Sequence, residues 1–78
     1  MTDIEVLDIV VHAAALVLQR NDVTAQSNFL ELGGSSLAAI HLVDKLNKEF
    51  GGDLSPLAPF EVEDLRGLAN LYLQRHGD

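Results

Sequence analysis

The sequence predicts an all-α fold, a small bundle of three main helices plus one short helix, with a long loop between helices one and two. Apolar residues recur at helical spacing in three separate stretches, and no stretch shows the alternation of a strand. Glycine, proline and capping residues stand between these stretches, where helices should start and stop. A chain of 78 residues suffices for one domain, which we expect to span residues 1–78.

The first helix is predicted from about residue 3 to residue 20. Thr2 and Glu5 have the spacing of a capping box, in which side chains and backbone amides at the helix start satisfy one another. The polar residues Asp8 and His12 lie on one side of this helix. The other side is apolar and is expected to enter the core through Leu7, Val10, Val11, Ala14, Val17 and Leu18.

A long loop is predicted over residues 21–35, because turn-forming residues interrupt the helical period there. A connection of this length is usually functional or anchored by its own side chains. Isolated apolar residues indicate that it is anchored across the helices, and they are Val23, Phe29, Leu30 and Leu32.

The second helix is predicted to begin at Ser35 or Ser36 and to end near Phe50, where a Gly-Gly pair supplies a stop. Its buried face is expected to contain Ala39, Leu42, Val43, Leu46 and Phe50. Leu37 falls on the polar side of the same helix, and Ile40 falls on the border between the two sides. An exposed leucine is ordinary on its own, but one directly after an exposed serine is more suggestive of a recognition feature.

A short helix and a final helix complete the predicted bundle. Ser55 is the expected N-cap of the short helix, with Pro56 at its first position and Pro59 limiting its length. Asp64 is the expected cap of the final helix, although Gly67 inside that helix costs roughly 1 kcal/mol relative to alanine. The apolar positions of the final helix are Leu65, Leu68, Ala69 and Tyr72.

The composition narrows the classes of partner. The formal net charge is −7, so we expect no nucleic acid and no anionic membrane surface as a partner, but a basic protein surface. The most apolar run, residues 9–18, is too short to span a bilayer. The chain start lacks the basic residues of a secretion signal. We therefore expect a soluble, cytoplasmic protein, which we take to be a monomer.

No residue pattern predicts catalysis or metal binding. A serine nucleophile needs a base within hydrogen-bond reach, but His41 follows Ser36 by five residues and so lies about 140° away around a helix. His12 and His76 are expected on the polar side of helix one and at the chain end. There is no cysteine, and the carboxylates lack the spacing of a metal site. We predict a non-catalytic protein without a metal site.

The segment "NFLELGGSSL" (residues 28–37) resembles the attachment-site signature of thiolation domains, the peptidyl and acyl carrier proteins of nonribosomal peptide and polyketide assembly lines. That signature reads roughly D-N-F-F-x-L-G-G-x-S-L. The residues that match it in register are Asn28, Phe29, Leu30, Leu32, Gly33, Gly34, Ser36 and Leu37. The resemblance extends over nearly the whole chain, including the tail "PLAPFEVEDLRGLANLY". Ser27 and the pair Glu63-Asp64 depart from the usual pattern, and neither departure touches the attachment site.

The resemblance implies that Ser36 carries 4'-phosphopantetheine, transferred from coenzyme A by a phosphopantetheinyl transferase that uses Mg²⁺. The terminal thiol of this arm would hold an aminoacyl or acyl group as a thioester. An adenylation enzyme or acyltransferase would load it, and condensation, tailoring or thioesterase enzymes would use it. In this register Ser35 occupies the variable position, where its hydroxyl can cap helix two. The serine therefore needs exposure, and the activating groups belong to the transferase.

The residues expected to contact these partner enzymes are Gly34, Ser35, Leu37, Ile40, Leu57 and Phe60. For Phe60, packing in the core is the alternative. Fatty-acid carriers resemble one another in an acidic helix two and a D-S-L attachment motif, and this chain shows neither, which favours a peptidyl carrier. We expect it to be free-standing, since the sequence starts at Met1 and ends soon after the last helix. The alternatives are a polyketide-type acyl carrier protein and a helical interaction domain that is never modified.

Overall fold

The structure, a computed structural model, describes the backbone of residues 2–76 and the side chains of residues 2–74. It contains α1 (Asp3–Leu18), α2 (Ser36–Phe50), α3 (Ala58–Glu61) and α4 (Leu65–His76), and no strand within residues 2–76. The predicted all-α bundle, with its short helix and its long loop after the first helix, is confirmed. The ends of the predicted domain, residues 1, 77 and 78, lie outside the described residues.

Helix α1 begins with the predicted capping box. The Thr2 N–H donates to Glu5 Oε1 at 3.0 Å, and the Glu5 N–H donates to Thr2 Oγ1 at 3.2 Å. The helix ends at Leu18, two residues before the expected end, because Gln19 takes a left-handed conformation with φ of 56°. The Gln19 N–H then bonds to carbonyls of the last turn, and the chain turns into the long loop.

The face that α1 buries is rotated from the predicted one. The buried residues are Val6, Val10, Ala13 and Ala14, whereas Leu7, Val11, Val17 and Leu18 are only half-buried. Helix α1 packs against both α4 and α2, so its innermost line runs between these two neighbours. Two small alanines on that line let the helices approach closely. The sequence pattern placed the larger residues there instead.

The buried faces of α2 and α4 agree with the predicted ones. In α2 the buried residues are Ala39, Leu42, Val43, Leu46 and Phe50, and in α4 they are Leu65, Leu68, Ala69 and Tyr72. The rings of Phe50 and Tyr72 lie 5.0 Å apart between centroids. These apolar surfaces, together with that of α1, form a single core.

A polar contact at Asn47 holds the connection between α2 and α3. The Asn47 side chain accepts from the Leu54 N–H and donates to the Leu54 carbonyl, both at 3.1 Å. The Tyr72 hydroxyl donates to the same Asn47 Oδ1 at 2.9 Å. Burial raises the pKa of Tyr72 to about 12. One amide thus joins α2, the following loop and α4.

Helix α3 begins later than predicted, at Ala58 instead of Pro56. The Ser55 hydroxyl accepts from the Leu57 N–H at 3.1 Å, so Ser55 stabilises a turn before the helix and is not its N-cap. Pro59 lies in the first turn of α3, where the missing N–H has no helical partner to lose. The prediction for Asp64 is confirmed, since its Oδ1 accepts from the Gly67 N–H at 2.9 Å.

Candidate functional site at the start of helix α2

The start of α2 is defined by two adjacent serines with different roles. Ser35 is the N-cap, with extended backbone angles of −91° and 170°, and its hydroxyl accepts from the Ala38 N–H at 3.1 Å. Ser36 is the first helical residue and is exposed. The capping role predicted for Ser35 is confirmed. Its role as a partner contact stays a prediction, as does the attachment at Ser36.

The two glycines before these serines have separate structural reasons. Gly33 has φ of +86°, a left-handed conformation that residues with a Cβ rarely adopt. A Cβ on Gly34 would collide with the side chain of Phe29, and the Gly34 N–H donates to the Phe29 carbonyl at 3.0 Å. Because Gly34 is buried against this ring, we remove it from the set of expected partner contacts.

The loop before α2 is anchored through its backbone as well as its side chains. The Ser27 and Ala25 carbonyls accept from the first two N–H groups of α4, those of Leu65 and Arg66, at 3.0 and 2.9 Å. These bonds satisfy donors that a helix N-terminus otherwise leaves without partners. The position of the loop is therefore coupled to the start of α4.

Of the four apolar loop residues, the structure buries one completely and exposes another. Phe29 is 1% exposed, and its ring meets the ring of Phe60 edge-on at 5.6 Å. Val23 and Leu32 are half-buried, but Leu30 is 66% exposed and does not anchor the loop. The prediction was wrong for Leu30. Leu30 lies within the attachment segment, so its exposure adds an apolar side chain to the surface there, where the sequence pattern had predicted an anchoring residue.

The surroundings of Ser36 fit the covalent attachment of phosphopantetheine. Its side-chain hydroxyl makes no hydrogen bond to any residue that the structure describes, and the first turn of α2 holds no acidic residue. The positive end of the helix dipole favours a negative charge at this place, such as that of a phosphodiester. When attached, the group supplies a thiol at the end of a long arm. His41, five residues later on α2, is exposed.

The expected partner contacts other than the buried glycine are all on the surface. Leu37 and Ile40 on α2 are 62% and 47% exposed, and Leu57 before α3 is 55% exposed. Phe60 is partly exposed while its ring also touches Phe29, so it combines the two roles that the sequence left as alternatives. Helices α2 and α3 pack together, which brings the two pairs onto neighbouring elements.

Two further features can be stated for the described part of the chain. Within residues 2–76, no helix combines the length and the apolar character that crossing a bilayer requires. The side chains described there contain no group of three or more potential metal ligands. The side chain of His76 lies outside the described ones.

The comparisons with known proteins agree with this geometry. A family model described as "Phosphopantetheine attachment site" matches residues 7–72. The structure of BlmI, a type-II acyl-carrier protein from Streptomyces verticillus involved in bleomycin biosynthesis, has a TM-score of 0.88 with 20% identity, over 94% of this chain and 88% of BlmI. At that identity the likeness shows a shared fold. The comparison with curated proteins gives no match. Because the family model spans most of the chain, the protein belongs to the phosphopantetheine attachment site family, whose prosthetic group is covalently attached 4'-phosphopantetheine.

Proposed function

We propose that the protein is a carrier that holds an aminoacyl or acyl group as a thioester, on a phosphopantetheine arm attached to Ser36, in nonribosomal peptide or related natural-product biosynthesis. The observation that carries this proposal is the position of Ser36. It is exposed, it is the first residue of α2, and it lies in the segment that matches the attachment motif. The family match supports the arm itself.

The attachment reaction requires little from this chain. The Ser36 Oγ would form a bond to the phosphopantetheine phosphorus of coenzyme A, adenosine 3',5'-bisphosphate would leave, and the hydroxyl proton would pass to a base on the transferase. The carrier contributes the fixed helix start, through the Ser35 cap. Gly33 adds no side chain to the exposed backbone before the two serines, and the helix N-terminus favours the resulting phosphodiester anion.

The partner enzymes are proposed to recognise apolar side chains around Ser36. Leu37 and Ile40 follow the serine on α2, Leu57 directly precedes the short helix α3, and Phe60 lies in it. Exposed apolar residues that lie together on a surface are typical of protein contacts. The partners would be a phosphopantetheinyl transferase, then an adenylation enzyme or acyltransferase, and then condensation, tailoring or thioesterase enzymes.

The peptidyl class is favoured over the polyketide-type acyl class by charge. In α2 the acidic residues Asp44 and Glu49 are balanced by Lys45 and Lys48, and the Lys48 ammonium lies 3.0 Å from the Asp44 carboxylate. Helix α2 therefore offers no acidic face. An acyl carrier with a basic partner would use such a face. The attachment motif in the form "LGGSSL" supports the same choice.

Loading of the modified protein distinguishes the two classes. The phosphopantetheinylated carrier is incubated either with adenylation enzymes, ATP and amino acids or with acyltransferases and acyl-coenzyme A thioesters. The peptidyl proposal expects an aminoacyl thioester in the first mixture, detected by intact-protein mass. Loading in the second mixture alone would instead support a polyketide-type acyl carrier.

The experiment that tests the carrier proposal is intact-protein mass spectrometry after incubation with coenzyme A, Mg²⁺ and a promiscuous phosphopantetheinyl transferase. The wild type is expected to gain one phosphopantetheine, and the Ser36→Ala variant is expected to gain none. A folded wild-type protein that stays unmodified would support the unmodified interaction domain instead. A gain that persists in Ser36→Ala would move the attachment to another residue.

A further inference from the structure

The turn that leads to the attachment serine is held at both of its ends by side chains. At its first residue, the Asn28 amide donates to the Glu63 carbonyl at 2.8 Å and accepts from the Glu31 N–H at 3.0 Å. At its other end, Arg20 Nη1 donates to the Leu32 carbonyl at 3.1 Å, across twelve positions of sequence. Both ends of the turn are therefore fixed to other parts of the molecule.

The Arg20 guanidinium is itself held in place by Asp22. Its Nε and Nη2 donate to the two carboxylate oxygens of Asp22 at 2.8 and 2.6 Å, which is the bidentate geometry of arginine and carboxylate. This arrangement leaves Nη1 to bond the Leu32 carbonyl. The charge-assisted contact holds the pKa of the Asp22 carboxyl below its ordinary value, so the pair stays ionised at neutral pH.

Between the two fixed ends lies the most exposed apolar side chain of the turn. Leu30 is 66% exposed, its carbonyl accepts from the Gly33 N–H at 3.0 Å, and it stands six residues before Ser36. The Leu32 N–H closes the turn by donating to the Asn28 carbonyl at 3.1 Å. The turn therefore presents one apolar side chain on a backbone that is tied at each end and runs directly into the Gly-Gly pair.

The Arg20–Asp22 contact is too exposed to be explained by stability. The two side chains are 40% and 57% exposed, and ion pairs of this exposure add little to the free energy of unfolding. What Arg20 does achieve is local, because its Nη1 bonds the carbonyl of Leu32, the residue that precedes Gly33, while Asp22 holds the guanidinium in place. A local effect on the shape of this turn would matter to a protein that binds next to Ser36.

We propose that Arg20 is a positioning residue for the modification of Ser36, because it holds the turn that presents Leu30 to the phosphopantetheinyl transferase. This inference rests on the proposed function. Arg20 does not act on the serine itself. It acts by holding Leu30 in the position from which this side chain contacts the docked enzyme. Arg20 lies outside the attachment motif, and the family resemblance gives it no role.

The test is steady-state kinetics of modification with the carrier concentration varied, using coenzyme A and a promiscuous transferase. Arg20→Ala is expected to raise KM for the carrier about fivefold with kcat unchanged, because docking is impaired and the chemistry is not. Arg20→Lys is expected to fall between the wild type and Arg20→Ala, because lysine keeps the charge and cannot make all three bonds. The control is Lys48→Ala, which breaks the surface pair with Asp44 and should leave KM unchanged.

A double-mutant cycle shows whether Arg20 acts through Leu30. Leu30→Ala is expected to raise KM, and adding Arg20→Ala to it should raise KM little further, since the side chain to be positioned is already gone. Independent, multiplying effects would overturn the proposed route. Thermal unfolding of each variant accompanies the kinetics. Should Arg20→Ala not fold, Asp22→Asn replaces it in the cycle, because it loosens the same guanidinium.

The outcomes separate this inference from the proposed function. If the wild type is modified at Ser36 and Arg20→Ala has the wild-type KM, the positioning role is wrong and the carrier function stands. If the wild type is not modified at all, both fail together. A raised KM in Arg20→Ala, with a normal Lys48→Ala and non-multiplying effects in the cycle, supports the positioning role.

Discussion

Gly33 and Gly34 are adjacent, yet the structure requires a glycine at each for a different reason. The backbone of Gly33 is left-handed, with open space where a Cβ would lie, whereas Gly34 is pressed against the ring of Phe29. The sequence predicts a tight turn with little side-chain bulk at this place. It does not predict the ring contact, because no local pattern indicates which part of the protein lies against Gly34.

At this scale the two glycine variants should differ in stability. Gly33→Ala should cost about 1 kcal/mol of unfolding free energy, from the left-handed backbone alone. Gly34→Ala should cost about 3 kcal/mol, because the new Cβ displaces Phe29 from the core. Urea unfolding of both variants checks this difference. Equal losses would mean that Phe29 moves aside freely.

The two serines provide a matched pair of variants as well. Ser35→Ala should lower the free energy of unfolding by about 1 kcal/mol, because the N-cap bond to the Ala38 N–H is lost. Ser36→Ala should leave stability nearly unchanged, since its hydroxyl bonds no described residue. Modification should survive in Ser35→Ala and disappear in Ser36→Ala. The account is contradicted if the two variants exchange these properties.

At the scale of elements, local capping residues predict some helix boundaries correctly and others wrongly. The sequence predicts the capping box of α1, the cap at Asp64 and the buried face of α2, because each rests on residues of one helix and its cap. It places the start of α3 wrongly, since Ser55 can cap a helix or a turn equally well. It also cannot show that the Ala25 and Ser27 carbonyls satisfy the first N–H groups of α4.

The burial of Tyr72 predicts a pH dependence of stability. An exposed tyrosine titrates near 10.0, whereas burial raises the Tyr72 pKa to about 12. Above pH 10.0 the unfolded chain therefore loses this proton before the folded chain does, so the unfolding free energy should fall as the pH rises from 10.0 towards 12. The contribution is complete below that window.

Chemical unfolding measured between neutral and alkaline pH tests this dependence. The Tyr72→Phe variant is the control, because it keeps the ring and removes the titrating group. It should be less stable than the wild type at neutral pH, by about 1 kcal/mol for the lost hydrogen bond. Its stability should then decline less steeply above pH 10.0. Parallel declines in the two proteins would show that folding does not raise the pKa of Tyr72.

Over the whole molecule, an acidic protein of net charge −7 exposes apolar side chains on two elements that pack together, the start of α2 and the region of α3. The sequence predicts most of this surface, because the attachment motif fixes the register of Ser36 and Leu37. The exposure of Leu30 could not be predicted, since the sequence of a loop does not distinguish an apolar residue that the fold buries from one that it exposes. Its exposure is seen in the folded turn, whose ends are bonded to residues distant in sequence.

Two leucine variants test whether partner enzymes dock on this surface. Leu37→Asp should leave stability nearly unchanged, because the side chain is 62% exposed, yet it should slow modification by about tenfold or more through lost docking. Leu16→Asp is the matched control, because Leu16 is 56% exposed on α1. It should change neither stability nor modification. A normal rate for Leu37→Asp would remove Leu37 from the contact surface.

The most direct test of the carrier function is to locate the arm within the modified protein. Trypsin releases residues 21–45 as one peptide, which contains Ser27, Ser35 and Ser36. Fragmentation of this peptide, after modification with coenzyme A and a promiscuous transferase, assigns the added phosphopantetheine to one of the three. The account predicts that it lies on Ser36 alone. Phosphopantetheine on Ser27 or Ser35, or its absence from the folded wild-type protein, would contradict the account.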